Sequence, residues 1–146
     1  MKNLICLALL GFAFTAQAEN CVIDLKADDQ MKFDQTEITV AASCKTVQIK
    51  LAHIGKLPVT AMGHNVVIAL TTDIQPISMD GQKAGAAANY VAADDKRVIA
   101  HTSVIGGGAT TTASFPGSAL KAGTDYSFFC SFPGHWAIMK GKLTVK

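Results

Sequence analysis

Apolar and polar residues alternate along much of the chain with the period of two that is typical of half-buried β-strands. Val47, Ile49 and Leu51 alternate with Gln48 and Lys50, which places the apolar side chains on one face of an extended segment. Seven further segments show this alternation or a short run of strand-favouring residues bounded by turn signals. These further predicted strands cover residues 21–25, 38–42, 65–70, 97–101, 110–115, 126–130 and 142–146.

Turn signals separate the predicted strands, such as the three glycines at positions 106–108 and the pair Pro116-Gly117. A chain of 146 residues fits one domain with a closed core. Seven or eight short strands in such a domain predict an all-β fold made of two packed sheets.

Residues 71–88 break the strand pattern, because they are rich in alanine and glycine and poor in β-branched residues. Thr72 or Asp73 is a suitable N-cap for a helix, and Pro76 fits only in a first helical turn. Gly81 and Gly85 weaken any helix in this segment. We therefore expect an irregular flap with one or two turns of helix, outside the sandwich.

The first eighteen residues have the features of a secretory signal peptide. Lys2 provides the positive start, residues 4–14 are apolar, and Ala16-Gln17-Ala18 matches a cleavage signal. The sequence thus predicts a signal peptide at 1–18, a folded domain at 19–146 and a periplasmic location. No apolar run reaches the 18 residues that a transmembrane helix needs.

The charge pattern does not indicate a nucleic-acid-binding protein. The formal net charge is +2, from 13 Lys and Arg against 11 Asp and Glu, and it is spread along the chain. A nucleic-acid-binding domain needs its basic residues concentrated in a patch or stripe. We therefore expect neither nucleic acid nor membrane insertion among the interactions of this chain.

The cysteine count indicates that one thiol has a special role. Cys6 lies in the predicted signal peptide, which leaves Cys21, Cys44 and Cys130 in an oxidising compartment. Three cysteines allow three pairings, and the position of Cys21 and Cys44 at neighbouring strand ends favours a bridge between those two. Such a bridge closes a loop of about 24 residues and contributes roughly 3 kcal/mol to stability.

The loop between the last two predicted strands, starting at the end of the first, combines three metal-binding side chains. Cys130, His135 and Met139 follow one another with the spacing Cys-x4-His-x3-Met, which lets one compact loop direct all three at a single point. Thiolate and thioether are soft ligands and imidazole is borderline, so this mixture favours copper. A blue copper site also needs a second histidine, and the residues alone leave the choice open among His53, His64 and His101.

Several motifs resemble those of the azurins, bacterial blue copper proteins of the cupredoxin family. The resemblance covers essentially the whole predicted mature chain, including Cys21, Cys44 and the turn at residues 29–31. Its most specific parts are the turn Met62-Gly63-His64-Asn65, the run at residues 97–102, and the segment 128–135 followed by Met139-Lys140-Gly141.

The resemblance implies a fold and a set of copper ligands. The implied fold is an eight-stranded Greek-key β-sandwich with a flap helix outside it, closed by a Cys21–Cys44 disulfide. The implied copper ligands are His64, Cys130 and His135, with Met139 as the axial ligand and the Gly63 carbonyl opposite. His53 and His101 are then not ligands.

The resemblance also suggests roles for the residues around the ligands. Asn65 is placed to tie the His64 turn to the Cys130 loop through Ser131, and backbone N–H groups near Asn65 and Phe132 are candidates to bond the Cys130 sulfur. An apolar patch for docking redox partners is expected around His135. Its predicted members are Met31, Leu57, Met62, Pro133, Gly134, Trp136 and Ala137.

The sequence thus predicts a monomeric electron carrier with one copper ion per chain, which alternates between Cu(I) and Cu(II), and not an enzyme. The expected redox partners are c-type cytochromes and periplasmic reductases or dehydrogenases. The alternative is a protein that stores or delivers copper, although such sites tend to use Met- and His-rich tracts or two thiols rather than one thiol in a compact loop.

Overall fold

The computed structural model describes residues 21–146, so the predicted signal peptide at 1–18 lies outside the described residues. Each segment of alternating residues forms a strand, and the eight strands lie within a few residues of their predicted positions. The strands are β1 (Val22–Ala27), β2 (Glu37–Val40), β3 (Thr46–His53), β4 (Val67–Leu70), β5 (Val98–His101), β6 (Thr110–Pro116), β7 (Tyr126–Phe129) and β8 (Lys140–Val145).

These strands form two sheets. The first sheet has the order β1-β3-β6, in which β1 pairs with β3 in parallel and β6 pairs with β3 antiparallel. The second has the order β2-β8-β7-β4-β5, in which the β2–β8 pair is parallel and the others are antiparallel. The predicted all-β sandwich is confirmed.

The main core lies between the two sheets and explains the alternation in the sequence. In β3, Val47, Ile49 and Leu51 are buried, whereas Gln48 and Lys50 point away from the core. Side chains from the inward faces of both sheets join them in one apolar cluster. No helix in residues 21–146 is long and apolar enough to cross a membrane.

The flap contains a longer helix than the sequence predicts. A four-residue helix, α1 (Val59–Met62), precedes β4, and the flap helix α2 (Ile74–Ala84) follows it, flanked by 3₁₀ turns at Thr71–Asp73 and Ala86–Ala88. Pro76 lies in the first turn of α2, as expected. Asp73 occupies the N-cap position, but its side chain makes no capping hydrogen bond. The prediction of one or two turns was too short, because tertiary contacts outweigh the weak local helix propensity.

Those contacts form a second apolar cluster on the outer face of the second sheet. Ile74 and Ile77 of α2 are buried there against residues of β4 and β7, so these two central strands are covered on both faces. Glycine is needed at position 81, where α2 passes close to Tyr90, since a Cβ atom there would collide with the Tyr90 carbonyl. The cluster consists of Val67, Ala69, Ile74, Ile77, Val91 and Phe129, with Val98 and Trp136 packed against it.

A charged cluster attaches α2 to the start of β5. The Arg97 guanidinium lies 2.8 Å from an Asp80 carboxylate oxygen and 2.6 Å from an Asp95 oxygen. Asp80 belongs to α2, and Asp95 lies in the loop that leads to β5. Hydrogen bonds from Arg97 hold the pKa of both carboxyl groups below the usual aspartate value.

The predicted disulfide is present at one end of the sandwich. Cys21 and Cys44 are bridged, with their Cα atoms 5.6 Å apart. Cys21 directly precedes β1, and its carbonyl accepts a hydrogen bond from the Gln48 N–H at 2.9 Å. The bridge therefore joins two segments next to the parallel β1–β3 pair.

Candidate metal centre

Strand pairing brings three predicted ligands together at the other end of the sandwich. His64 precedes β4 and Cys130 follows β7, and these strands pair antiparallel with Val67 opposite Phe129. His135 begins a 3₁₀ turn, His135–Ala137, in the loop that connects β7 to β8. One long-range pairing therefore places the His64 turn beside the loop that carries Cys130 and His135.

The ligand atoms of these residues converge on one point. The Cys130 Sγ lies 3.8 Å from the Nδ1 of His64 and 3.6 Å from the Nδ1 of His135. All three ligand atoms lie within 4.8 Å of one another, and all three residues are buried. His64, Cys130 and His135 are thus positioned to hold one metal ion.

Gly63 and Met139 are both neighbours of Cys130. The Gly63 carbonyl oxygen lies 3.9 Å from the Cys130 Sγ. A Cβ atom at Gly63 would lie 2.6 Å from the Val59 carbonyl oxygen and 2.8 Å from a Phe132 ring carbon, so only glycine brings this carbonyl so close. Met139 is buried, and its carbonyl accepts the Cys130 N–H at 3.0 Å, which holds the two residues side by side.

The protonation of the ligands follows from their burial. Burial raises the pKa of the Cys130 thiol to about 12, against the opposing effect of hydrogen bonds from the backbone N–H groups of Asn65 and Phe132. Burial and then the neighbouring His64 lower the pKa of His135 to about 4, and burial also lowers the pKa of His64. At neutral pH the imidazoles therefore offer free lone pairs, and a metal ion must displace the thiol proton.

A backbone hydrogen bond orients His64. Its Nε2 lies 2.7 Å from the Asp28 carbonyl oxygen, which can only accept, so Nε2 carries the proton and Nδ1 is left free toward the sulfur. This contact could not be read from the sequence, because any residue at position 28 supplies a carbonyl. The Asp29 carboxylate beside it accepts the Lys56 and Leu57 N–H groups and thereby fixes the adjoining loop.

Asn65 and Ser131 connect the two ligand-bearing segments. The Asn65 side-chain amide donates to the Ser131 hydroxyl at 2.8 Å and accepts the Ser131 N–H at 2.9 Å. It also donates to the Asn89 carbonyl at 3.1 Å, which links the site to the end of the flap. The role of Asn89 could not be predicted from the sequence, because the residue accepts this hydrogen bond through its backbone carbonyl and is positioned by the fold of the flap.

The other two histidines lie outside the ligand group. His53 is buried and its ring stacks on His64 with the centroids 4.5 Å apart, but its Nε2 donates to the Met62 carbonyl at 2.9 Å and its Nδ1 accepts the Gly55 N–H. His101 is exposed at the end of β5. The stacking of His53 on His64 was not predicted, because it depends on how the end of β3 meets the turn before β4.

The residues of the predicted docking patch differ in exposure. Leu57, Pro133, Gly134 and Ala137 are exposed, and Met31 and Met62 are half-buried. His135 is buried, and no hydrogen bond to its Nε2 is found among the described residues. The residue as a whole is 4% exposed.

Comparisons with known proteins agree with this geometry. Residues 19–146 match the family of copper binding proteins described as the plastocyanin/azurin family. The azurin of Alcaligenes faecalis is 53% identical over 125 residues, covering 86% of this chain and 98% of that protein. The azurin of Bordetella pertussis is 47% identical over 137 residues, covering 94% and 91%. The solved structure of azurin Az-iso2 from Methylomonas sp. strain J matches with a TM-score of 0.83 at 40% identity, covering 86% of this chain and 98% of that one.

Proposed function

The chain belongs to the plastocyanin/azurin family of copper-binding proteins, and we propose that His64, Cys130 and His135 would hold its copper, with Met139 and the Gly63 carbonyl as weaker ligands. It is a blue copper electron-transfer protein. The observation that carries the ligand assignment is the convergence of one thiol and two imidazoles within 4.8 Å in a buried position. This donor set suits copper, which prefers soft and borderline ligands.

Bound copper supplies a centre that gains and loses one electron. The chain's own residues hold the ligand positions in place. The Asp28 carbonyl orients His64, the Asn65–Ser131 hydrogen bonds join the two ligand segments, and Phe132 packs its ring 4.7 Å from that of His135. Because these contacts lie within the protein itself and restrain the ligand side chains, we expect little rearrangement when the charge of the centre changes.

We further propose that the protein acts in the periplasm as a monomer, exchanging electrons with c-type cytochromes and with reductases or dehydrogenases. In this proposal it makes and breaks no bonds in a substrate. Support comes from the export signal in the sequence and from the exposed apolar residues Leu57, Pro133 and Ala137, which lie in loops at the same end of the sandwich as His135. A small apolar face suits brief redox encounters.

Copper loading tests the assignment of the site. Cu(II) added to the mature protein should give an intense blue colour that a reductant bleaches and an oxidant restores. At pH 7 the binding of each copper ion should release about one proton, from the Cys130 thiol. A colourless protein that holds only Cu(I) would indicate copper delivery instead.

A matched pair of charge substitutions tests the docking patch. Leu57→Lys places a charge in the patch, whereas Val22→Lys places the same charge at the start of β1, and both parent side chains are 40% exposed. We expect Leu57→Lys to slow electron exchange with a c-type cytochrome while Val22→Lys leaves the rate unchanged, with blue absorption intact in both. Equal rates for the two variants would contradict the proposed location of the patch.

A further inference from the structure

The two histidines of the metal centre are held in different ways. His64 has its ring fixed by the hydrogen bond from Nε2 to the Asp28 carbonyl at 2.7 Å. The Nε2 of His135 has no such partner among the described residues. The neighbours of its ring are the Phe132 ring, with centroids 4.7 Å apart, and the His64 ring at 5.1 Å. The position of His135 therefore depends on what holds the loop that carries it.

The backbone around His135 forms one compact unit. The His135 N–H donates to the Phe132 carbonyl at 3.0 Å, and the His135 carbonyl accepts the N–H groups of Ile138 at 3.1 Å and Met139 at 2.8 Å. These bonds make the segment from Phe132 to Met139 a tight, internally hydrogen-bonded turn. Whatever holds a side chain of this turn in place also restrains the imidazole of His135.

Trp136 connects this turn to the flap. Its half-buried ring packs against the second apolar cluster, to which α2 contributes Ile74 and Ile77. The ring also borders a groove of about 400 Å³ between the start of α2 and the edge of β8 at Lys140. The turn and α2 are thus direct neighbours.

We propose that Trp136 is a positioning residue for the metal centre, which fixes His135 by anchoring its turn to the flap helix α2. The flap then supports the site rather than serving as a passive cover of the sheet. The Asp80–Arg97–Asp95 cluster, which attaches α2 to β5, belongs to the same support. The proposal rests on the proposed role of His135 as a copper ligand, and it goes beyond the docking role predicted for Trp136.

Substitutions at Trp136 and at a neighbouring exposed residue test the anchor. Trp136→Ala removes the ring, Trp136→Phe retains an aromatic anchor, and Ile138→Ala truncates a side chain of the same loop that is 63% exposed. We expect Trp136→Ala to bind Cu(II) roughly tenfold more weakly than the parent, as for other residues that orient metal ligands, and to release it to a chelator correspondingly faster. Its visible and electron paramagnetic resonance spectra should also change. Trp136→Phe should restore most of both properties, and Ile138→Ala should match the parent.

A substitution in the flap tests whether the anchor acts through α2. Ile77→Ala removes apolar contacts from the helix side of the cluster, and we expect it to speed copper release too. In the double variant, Trp136→Ala should increase the release rate by a smaller factor than it does alone. The thermal unfolding of each metal-free variant separates this coupling from a general loss of stability. Ile77→Val is the milder replacement if Ile77→Ala does not fold.

The outcomes distinguish this inference from the proposed function. A blue parent protein whose copper release and spectra are unchanged by Trp136→Ala would overturn the anchor and leave the copper site standing. Unchanged release in the Ile77 variant, despite a lower unfolding temperature, would overturn the coupling to α2. A parent protein without a blue copper site would overturn the proposed function and this inference with it.

Discussion

At one end of the sandwich, Cys21 and Cys44 are joined in a disulfide next to the β1–β3 pair, whereas at the other end Cys130 keeps a free thiol between His64 and His135. The disulfide end restrains the backbone covalently and reduces the freedom of the unfolded chain. The thiol end is held by non-covalent contacts, chiefly hydrogen bonds among side chains and carbonyls that come from several segments.

We infer from this comparison that the disulfide end contributes mainly to stability, whereas the thiol end carries the proposed copper site. We expect loss of the disulfide to leave the proposed copper ligands in place, because it lies at the opposite end of β3 from His53 and its stacked partner His64. The thiol can be lost without removing any covalent restraint. The predictions below remove contacts from one end at a time.

The largest effect is expected from Cys130→Ser. A serine hydroxyl is a poor ligand for copper, so the blue absorption that arises from the thiolate should disappear completely. The metal-free variant should unfold within about 2 kcal/mol of the parent, as is usual for single substitutions. Visible absorption after Cu(II) addition and urea unfolding of the metal-free protein measure the two effects, and a blue Cys130→Ser variant would contradict the ligand assignment.

The reverse result is expected when both disulfide cysteines are replaced by alanine. Opening the bridge between Cys21 and Cys44 should lower the free energy of unfolding by about 3 kcal/mol, because the unfolded chain regains the freedom of the closed loop. The blue absorption of the copper-loaded variant should match that of the parent. Loss of the blue colour in a variant that still folds would show that the two ends are coupled.

A smaller effect is expected at the thiol end from Asn65→Ala. The change removes two hydrogen bonds to Ser131 and one to the Asn89 carbonyl in a buried position, which should cost about 2 kcal/mol. Gln35→Ala is the control, since the Gln35 amide makes an exposed hydrogen bond to the Asp24 carbonyl at 2.7 Å. Chemical unfolding of the metal-free proteins measures the loss of unfolding free energy in both variants. Equal losses would contradict the larger contribution expected from the buried Asn65 amide.

The smallest effect is expected in the flap, from Asp95→Asn. The hydrogen bond from Arg97 lowers the pKa of Asp95, so the folded protein favours the charged carboxylate. Its contribution, about 1 kcal/mol, should be present above the ordinary aspartate pKa of about 3.9 and lost as the pH falls through the lower value of the folded protein. The free energy of unfolding of Asp95→Asn should therefore be lower than that of the parent at pH 7, and this difference should shrink in acid. The control is Asp94→Asn at the exposed neighbouring position.

The sequence predicted those parts of the molecule whose cause is local. The strands followed from alternation such as that of Val47, Ile49 and Leu51, which directly reports a buried face. The length of α2 did not follow, because Ile74 and Ile77 are stabilised by residues of β4 and β7 that are distant in the chain. The spacing of Cys130, His135 and Met139 indicated copper, whereas the residues alone left His53, His64 and His101 as candidates for the second histidine. The Asp28 carbonyl that orients His64 has no sequence signature at all.

Trp136 is the one tryptophan of the chain, and it directly follows His135. The indole emission of this protein therefore comes from a single place, where the β7–β8 loop meets the flap. A change in emission when the metal is added, when the copper is reduced or when α2 detaches is therefore sensed by one indole at that junction. The protein thus contains a local optical probe of the contact between its redox centre and its helix, without any added label.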